Sequence, residues 1–225
     1  MTNEVASMTS VSRMPRPAHL SWRAFALVLG LAGLGLAHTD AALAQGAPAS
    51  AARETMDIGD EPGRVPTPEA ERLEGPFARQ MVYFRTNEPP GTVIIHTSER
   101  FLYLVQGNNR ALRYGIGVGR EGFQWSGIQR ISRKAEWPDW RPPPEMITRQ
   151  PYLPRFMAGG PGNPMGARGL YLGATIYRIH GTNQPQTIGQ SVSSGCFRLV
   201  NSDVTDLYDR VPVGTKVIVR HAAAL

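Results

Sequence analysis

From residue 77 onward, apolar and polar residues come in short β-prone runs broken at close intervals by turn residues, the pattern of strands with a buried face. Residues 81–84 open the series and stop at Asn87-Glu88-Pro89-Pro90-Gly91. Residues 92–97 and 100–105 predict a hairpin joined at Ser98-Glu99, and Gln106-Gly107-Asn108-Asn109 signals the next turn. Residues 110–118, 127–132, 169–179 and 215–220 continue the strand pattern. Helix signals are few. Val204, Leu207 and Tyr208 fall at three- and four-residue spacing after the capping residues Asn201-Ser202-Asp203, which predicts a helix over about 201–210, stopped by Pro212. A second short helix is expected near 144–149. Residues 137–168 carry eight prolines and several glycines, too irregular for a regular element, and a long loop of that kind beside a site serves as a lid or a binding wall. The expected fold is mainly β, a single β-sandwich-like or mixed-sheet domain over 77–225 with one or two short helices.

The first 76 residues do not follow this pattern. Arg13, Arg16 and Arg23 form a basic lead, an apolar run of about 14 residues follows over 24–37, and Ala42-Leu43-Ala44 offers small residues for cleavage. Residues 1–44 therefore read as a secretory signal, with Gln45 as the expected mature start. The apolar run is shorter than the roughly 20 residues a spanning helix needs, so no permanent membrane span is expected after cleavage. Residues 45–76 mix Ala, Gly, Pro and charge without apolar periodicity and read as a flexible tether. Export to the periplasm or cell envelope is the expected localisation. Removal of residues 1–44 takes away three basic and two acidic residues and lowers the formal charge of +6 by one. A basic exported protein either is drawn to an anionic polymer such as cell wall or lipopolysaccharide or is simply soluble, and its compartment argues against nucleic acid.

One cysteine, Cys196, excludes an internal disulfide. A lone thiol in an oxidising compartment is either buried and inert or put to use. Of the five histidines, His19 and His38 lie in the signal, and His96 and His221 read as structural or solvated. Only His180 lies near Cys196 in sequence, with 15 residues between them. An imidazole beside a thiol can make the thiolate nucleophile, and the glycine before the cysteine lets a carbonyl approach. Backbone N–H groups around Gly195 and Cys196 can then hold an oxyanion. This is acyl-transfer chemistry. No cluster of ligands at metal spacing occurs, and no cofactor is expected.

The segment IHGTNQPQTIGQSVSSGCFRL resembles the signature of L,D-transpeptidases with a YkuD-type catalytic domain: His-Gly, then Ser, a variable residue, Gly, Cys and, two places on, Arg. The likeness extends through RYGIGVGREGFQWSG and KAEWPDWRPPPEM and covers about residues 80–221. It departs at Ser194, where the family often has His, and at Phe197, where Ile is common; the first departure bears on the shape of the oxyanion hole. The resemblance implies that Cys196 attacks the bond between meso-diaminopimelate and D-Ala in a peptidoglycan tetrapeptide stem and forms a thioester, which an amine resolves. That amine belongs to another stem, giving a 3→3 crosslink, or to a protein, such as an outer-membrane protein or lipoprotein. It implies His180 as base and acid, oriented by the carbonyl of Gly181, with Gly195 and Ser194 shaping the oxyanion hole. It also implies acylation of Cys196 by carbapenem-type β-lactams. Arg198 either binds a stem carboxylate or holds the loop. Ser193 and Trp140 are candidate substrate contacts, although Ser193 and Ser194 also fit ordinary loop positions, and Trp125, Trp137 and Trp140 also fit core or wall. An L,D-carboxypeptidase using water, and a wall-binding module without activity, remain the alternatives.

Overall fold

The computed structural model describes residues 61–221; the expected signal and residues 45–60 of the expected tether lie outside them. The strands are β1 (Gln80–Tyr83), β2 (Val93–His96), β3 (Phe101–Gly107), β4 (Arg110–Gly115), β5 (Val118–Gly119), β6 (Gly127–Glu136), β7 (Arg168–Leu172), β8 (Arg178–His180), β9 (Ser191–Ser193), β10 (Phe197–Arg198) and β11 (Lys216–Arg220). The helices are α1 (Pro144–Arg149) and α2 (Asn201–Arg210). Nine strands make one mixed sheet in the order β1-β4-β3-β2-β11-β6-β7-β8-β10, and β5 pairs with β9 alone. The turn between β3 and β4 places Asn108 and Asn109 at φ 52° and 55°, the left-handed pair that a two-residue hairpin demands and that asparagine tolerates.

The longest strand, β6, belongs to two half-sheets. Its first half pairs antiparallel with β11 (Val217 opposite Gln129) and its second half with β7 (Ala135 opposite Gly169), with a register shift between Ile131 and Arg133. An irregularity of this kind bends a strand. The two halves bury one shared core: Val93, Ile95 and Leu102 from the first meet Leu170, Ile179 and Phe197 from the second, with Val204 and Leu207 of α2 packed against them. The first half buries its other face too, through Ile94, Tyr103, Val105 and Ile218. Residues 93–96 are therefore buried at every position, and the run Val-Ile-Ile-His shows no alternation. A bridge between Gly117 and Arg198, with N–H to O distances of 2.9 Å in both directions, ties the end of the first half to the last strand of the second.

The architecture is thus mainly β, a bent mixed sheet folded on itself with two short helices. Strand expectation 110–118 divides into β4 and β5, and 169–179 divides into the hairpin β7–β8. The loop over 137–168 has a small core of its own, in which Trp140, Met146, Leu153 and Met165 are all buried. Residues 61–76 hydrogen-bond to distant parts of the chain: Gly63 N–H to the Gly162 carbonyl at 2.8 Å, Asn183 Nδ2 to the Glu61 carbonyl at 2.7 Å, and Asn201 Nδ2 to Glu71 Oε1 at 2.6 Å. Among the described residues no helix is long and apolar enough to cross a membrane.

Candidate active site

Strand register gathers the candidate residues. β10 lies parallel to β8 with Arg198 beside His180 and Phe197 beside Ile179. β8 pairs with β7 so that His180 faces Gly169 and Arg178 faces Tyr171, and β7 pairs with β6 so that Tyr171 faces Arg133 and Gly169 faces Ala135. Paired residues share a face, and side chains alternate along a strand. Ile179, Phe197 and Leu170 consequently point into the core, and His180, Arg198, Arg178, Tyr171 and Arg133 point the other way. Continuing the register one step before β10 sets Cys196 beside Arg178. Cys196 is half-buried, and its Sγ lies 4.0 Å from the Ile176 carbonyl oxygen.

This outward face is the floor of a cavity of about 640 Å³ lined by both His180 and Cys196. The irregular segment forms its wall, through Pro138, Trp140, Pro143, Met146, Pro164 and Met165. Trp140 is 5% exposed and is held by paired backbone hydrogen bonds with Met157 at 2.8 and 2.9 Å. It is a wall residue that belongs to the segment's own core. Arg198 also lines the cavity but is only 1% exposed.

His180 is buried, and its Nδ1 lies 2.6 Å from the Gly181 carbonyl. A carbonyl only accepts, so Nδ1 carries the proton and Nε2 is left with a lone pair. Burial first, then the positive charge of Arg198 and, to a smaller extent, of Arg178, push the imidazole down to about 3 against the pull of hydrogen bonds to the backbone of Gly181 and Met165. The ring is therefore neutral at neutral pH and can accept a proton. Gly181 has no room for a side chain, since a Cβ there would run into Asn201 Oδ1 and the backbone of Gly166 and Ala167.

The turn carrying Cys196 is stitched from within and from outside. Ser193 Oγ donates to the Cys196 carbonyl at 2.6 Å and accepts from the Gly195 N–H at 3.2 Å. That N–H is thus engaged inside the turn. Trp125 Nε1 donates to the Gly195 carbonyl at 2.9 Å, and the Trp125 ring stacks on Tyr177 at 4.6 Å with planes 13° apart. Arg120 N–H reaches the Ser193 carbonyl at 3.0 Å. Ser194 Oγ accepts from Arg149 Nη2 at 3.3 Å, linking α1 in the wall to the cysteine turn.

Sequence reasoning missed Asn201, which it read as part of a helix cap. Val200 is the N-cap, with no side-chain bond. Asn201 instead accepts from the Ala167 N–H at 2.8 Å and donates to the Thr182 carbonyl at 3.1 Å as well as to Glu71. It joins the end of the wall segment to the turn after His180. Trp125, quoted for its family likeness, had no assigned contact, and its proximity to the cysteine turn carries no local sequence signal. Arg178 did carry one, since it stands two residues before His180 on a strand and so shares its face.

Comparisons with known proteins bear on the family. The family model for the L,D-transpeptidase catalytic domain, YkuD, matches residues 90–219. Probable L,D-transpeptidase ErfK/SrfK of Escherichia coli K12 is 40% identical over 134 residues, which cover 56% of this chain and 42% of that one. Putative L,D-transpeptidase YkuD of Bacillus subtilis is 51% identical over 59 residues, 26% of this chain and 36% of its own. The chain therefore spans less than half the length of these curated relatives. A crystal structure from Brucella melitensis, described as a probable carnitine operon oxidoreductase CaiA, is 48% identical and covers 68% of this chain and 96% of its own, at a TM-score of 0.44. The matched stretch of residues 90–219 takes in the whole cavity floor, the cysteine turn and the histidine strand, and by that match the chain belongs to the L,D-transpeptidase catalytic-domain family.

Proposed function

We propose that the chain is an exported peptidoglycan L,D-transpeptidase with Cys196 as nucleophile and His180 as its base. The observation that carries the reading is the 2.6 Å bond from His180 Nδ1 to the Gly181 carbonyl, which puts the proton on Nδ1 of a histidine that lines the same cavity as Cys196 and leaves Nε2 to act as the base. In the first step the Cys196 Sγ–carbon bond forms at the carbonyl between meso-diaminopimelate and D-Ala. The thiol proton passes to Nε2, the backbone N–H of Cys196 meets the oxyanion, and the C–N bond breaks as Nε2 returns the proton to the departing D-Ala amine. In the second step an acceptor amine gives its proton to Nε2 and attacks the thioester, and the thiol is restored. The depressed basicity of the imidazole means that this proton moves during attack rather than before it. Ser193 and Gly195 hold the turn, Trp140 forms the wall, and the burial of Arg198 favours holding the loop over direct contact with a stem carboxylate.

Incubation of the protein with purified disaccharide-tetrapeptide, followed by mass spectrometry beside Cys196→Ala, tests the reading. A dimer that has lost one D-Ala and depends on Cys196 is the expected product. A tripeptide alone makes the protein an L,D-carboxypeptidase, and identical spectra from both proteins refute the nucleophile. A protein acceptor would be found as a tripeptide adduct when an outer-membrane protein or lipoprotein fraction is added.

A further inference from the structure

Next to the Arg198–His180 pair on the cavity floor runs a second row, which leads away from the cysteine across three strands: Cys196, Arg178, Tyr171, Arg133. The row is organised around the tyrosine. The Arg133 guanidinium carbon lies 3.6 Å from the Tyr171 ring centroid and that of Arg178 lies 5.0 Å from it. Stacking on a ring fixes a guanidinium plane while leaving its N–H edges open to a planar anion. Neither arginine forms an ion pair with a carboxylate among the described residues, and the buried Nε of Arg178 has no hydrogen-bond partner. The cavity's two carboxylates belong to the wall, where Asp139 accepts from the Gly159 N–H at 3.1 Å and Glu145 sits in the first turn of α1. The row is therefore a line of positive charge, with no carboxylate paired to Arg178 or Arg133 among the described residues, that begins beside Cys196.

We propose that Arg178 and Arg133, braced on Tyr171, form a rail that binds carboxylates of the acyl-donor peptide and selects free acids over the corresponding amides. The proposal rests on the acyl-transfer reading and adds the chemical feature by which the donor is chosen. At about 4.8 Å per strand, Arg178 lies about 5 Å from the cysteine and Arg133 about 14 Å from it. An extended peptide advances about 3.3–3.6 Å per residue, so a donor crossing the strands meets Arg178 next to its reacting carbonyl, and the three residues on its acyl side extend about 10 Å toward Arg133. A carboxylate accepts two parallel N–H bonds from a guanidinium, whereas an amide offers one oxygen and presents N–H groups to a group that only donates.

The test separates binding from turnover. Synthetic tetrapeptide donors, with all side carboxyls free or with one amidated, are titrated calorimetrically into full-length Cys196→Ala and are also turned over by the unsubstituted protein. The free acid is expected to bind about tenfold to a hundredfold tighter than an amide, the range for a charge-assisted hydrogen bond. Arg178→Gln and Arg133→Gln, each added to Cys196→Ala, should reduce that acid-to-amide ratio, each most strongly for the carboxyl nearest to it. The ratio cancels any general loss of folded protein. Equal binding of acid and amide, or a ratio that both substitutions leave intact, overturns the rail even if the unsubstituted protein turns both donors over. A preserved acid preference in Cys196→Ala, with no turnover of either donor by the unsubstituted protein, supports the rail and defeats the acyl-transfer reading instead.

Discussion

Replacement of Gly195 by alanine tests whether the cysteine turn is held by its neighbours. Gly195 has φ +104°, a conformation that costs a residue with a side chain about 1–3 kcal/mol. A Cβ there would lie 2.6 Å from Tyr177 Cε1 and 3.0 Å from the Phe123 carbonyl oxygen. The carbonyl is backbone and cannot swing aside. The tyrosine ring is stacked on Trp125, which in turn donates to the Gly195 carbonyl, so moving the ring gives up a contact worth about 1 kcal/mol and disturbs the bond that steadies the same residue. A total of about 2–4 kcal/mol follows, part of it relieved by a shift of the turn and hence of Cys196. Gly195→Ala should lower the melting temperature by about 5–10 °C for a domain of this size. It should slow thioester formation by about a hundredfold, the effect of misplacing a reacting group by about 1 Å. Thioester formation is read by intact mass after mixing with the tetrapeptide donor. Adding Tyr177→Ala removes the ring clash but not the backbone strain, so the double variant should recover only part of the loss. A Gly195→Ala protein that melts and acylates as the parent does would refute the account of a turn clamped between Phe123 and Tyr177.

Two further outcomes depend on protonation. His180 is depressed to about 3, so its ring should stay neutral, with the proton on Nδ1, from pH 8 down to about 4 in nitrogen-edited NMR, and acylation should show no loss attributable to it between pH 7 and 5; a His180 titration near 6.5 would remove the burial argument. Asp203 is raised to about 6, by burial and then by Asp206, against the opposing charge of Arg79. Because its native value lies above the unfolded one, its contribution to stability is complete below about 4 and is lost as pH rises through about 6. The difference in unfolding free energy between the parent and Asp203→Asn should therefore shift in favour of the parent, by on the order of 2 kcal/mol, between pH 7.5 and pH 4; a difference flat across that range would contradict it.

The strands were legible wherever one face is buried and the other is not, or where a turn has a chemical signature. Asn108 and Asn109 announce the β3–β4 turn through the backbone they tolerate, and α2 is visible through Val204 and Leu207. The short strands β9 and β10 were not legible. Their bonds come from β5 and β8, elements 70 or so residues upstream in one case, and a two- or three-residue run such as Ser191–Ser193 has no periodicity to read. The small core of the wall segment was hidden for a related reason: Trp140, Met146, Leu153 and Met165 converge across more than 20 residues without a common period, held by contacts such as Asn163 to the Met157 and Ala158 carbonyls.

At the site, the sequence points to the proposed reacting pair more readily than to the residues around it. Cysteine and histidine are rare residue types in this chain, so spacing and neighbouring glycines single out Cys196 and His180 as the proposed nucleophile and base. Orientation is carried by common residues through long-range contacts: Trp125 to Gly195, Asn201 to Thr182 and Ala167, and Arg149 to Ser194. The last of these bears on the departure from the family pattern. Ser194 is a hydrogen-bond acceptor for Arg149 from the wall, and a protonated histidine at the same position would repel that guanidinium. Serine and Arg149 therefore belong together in this chain, and the link they make runs from the wall helix to the residue two positions before the thiol.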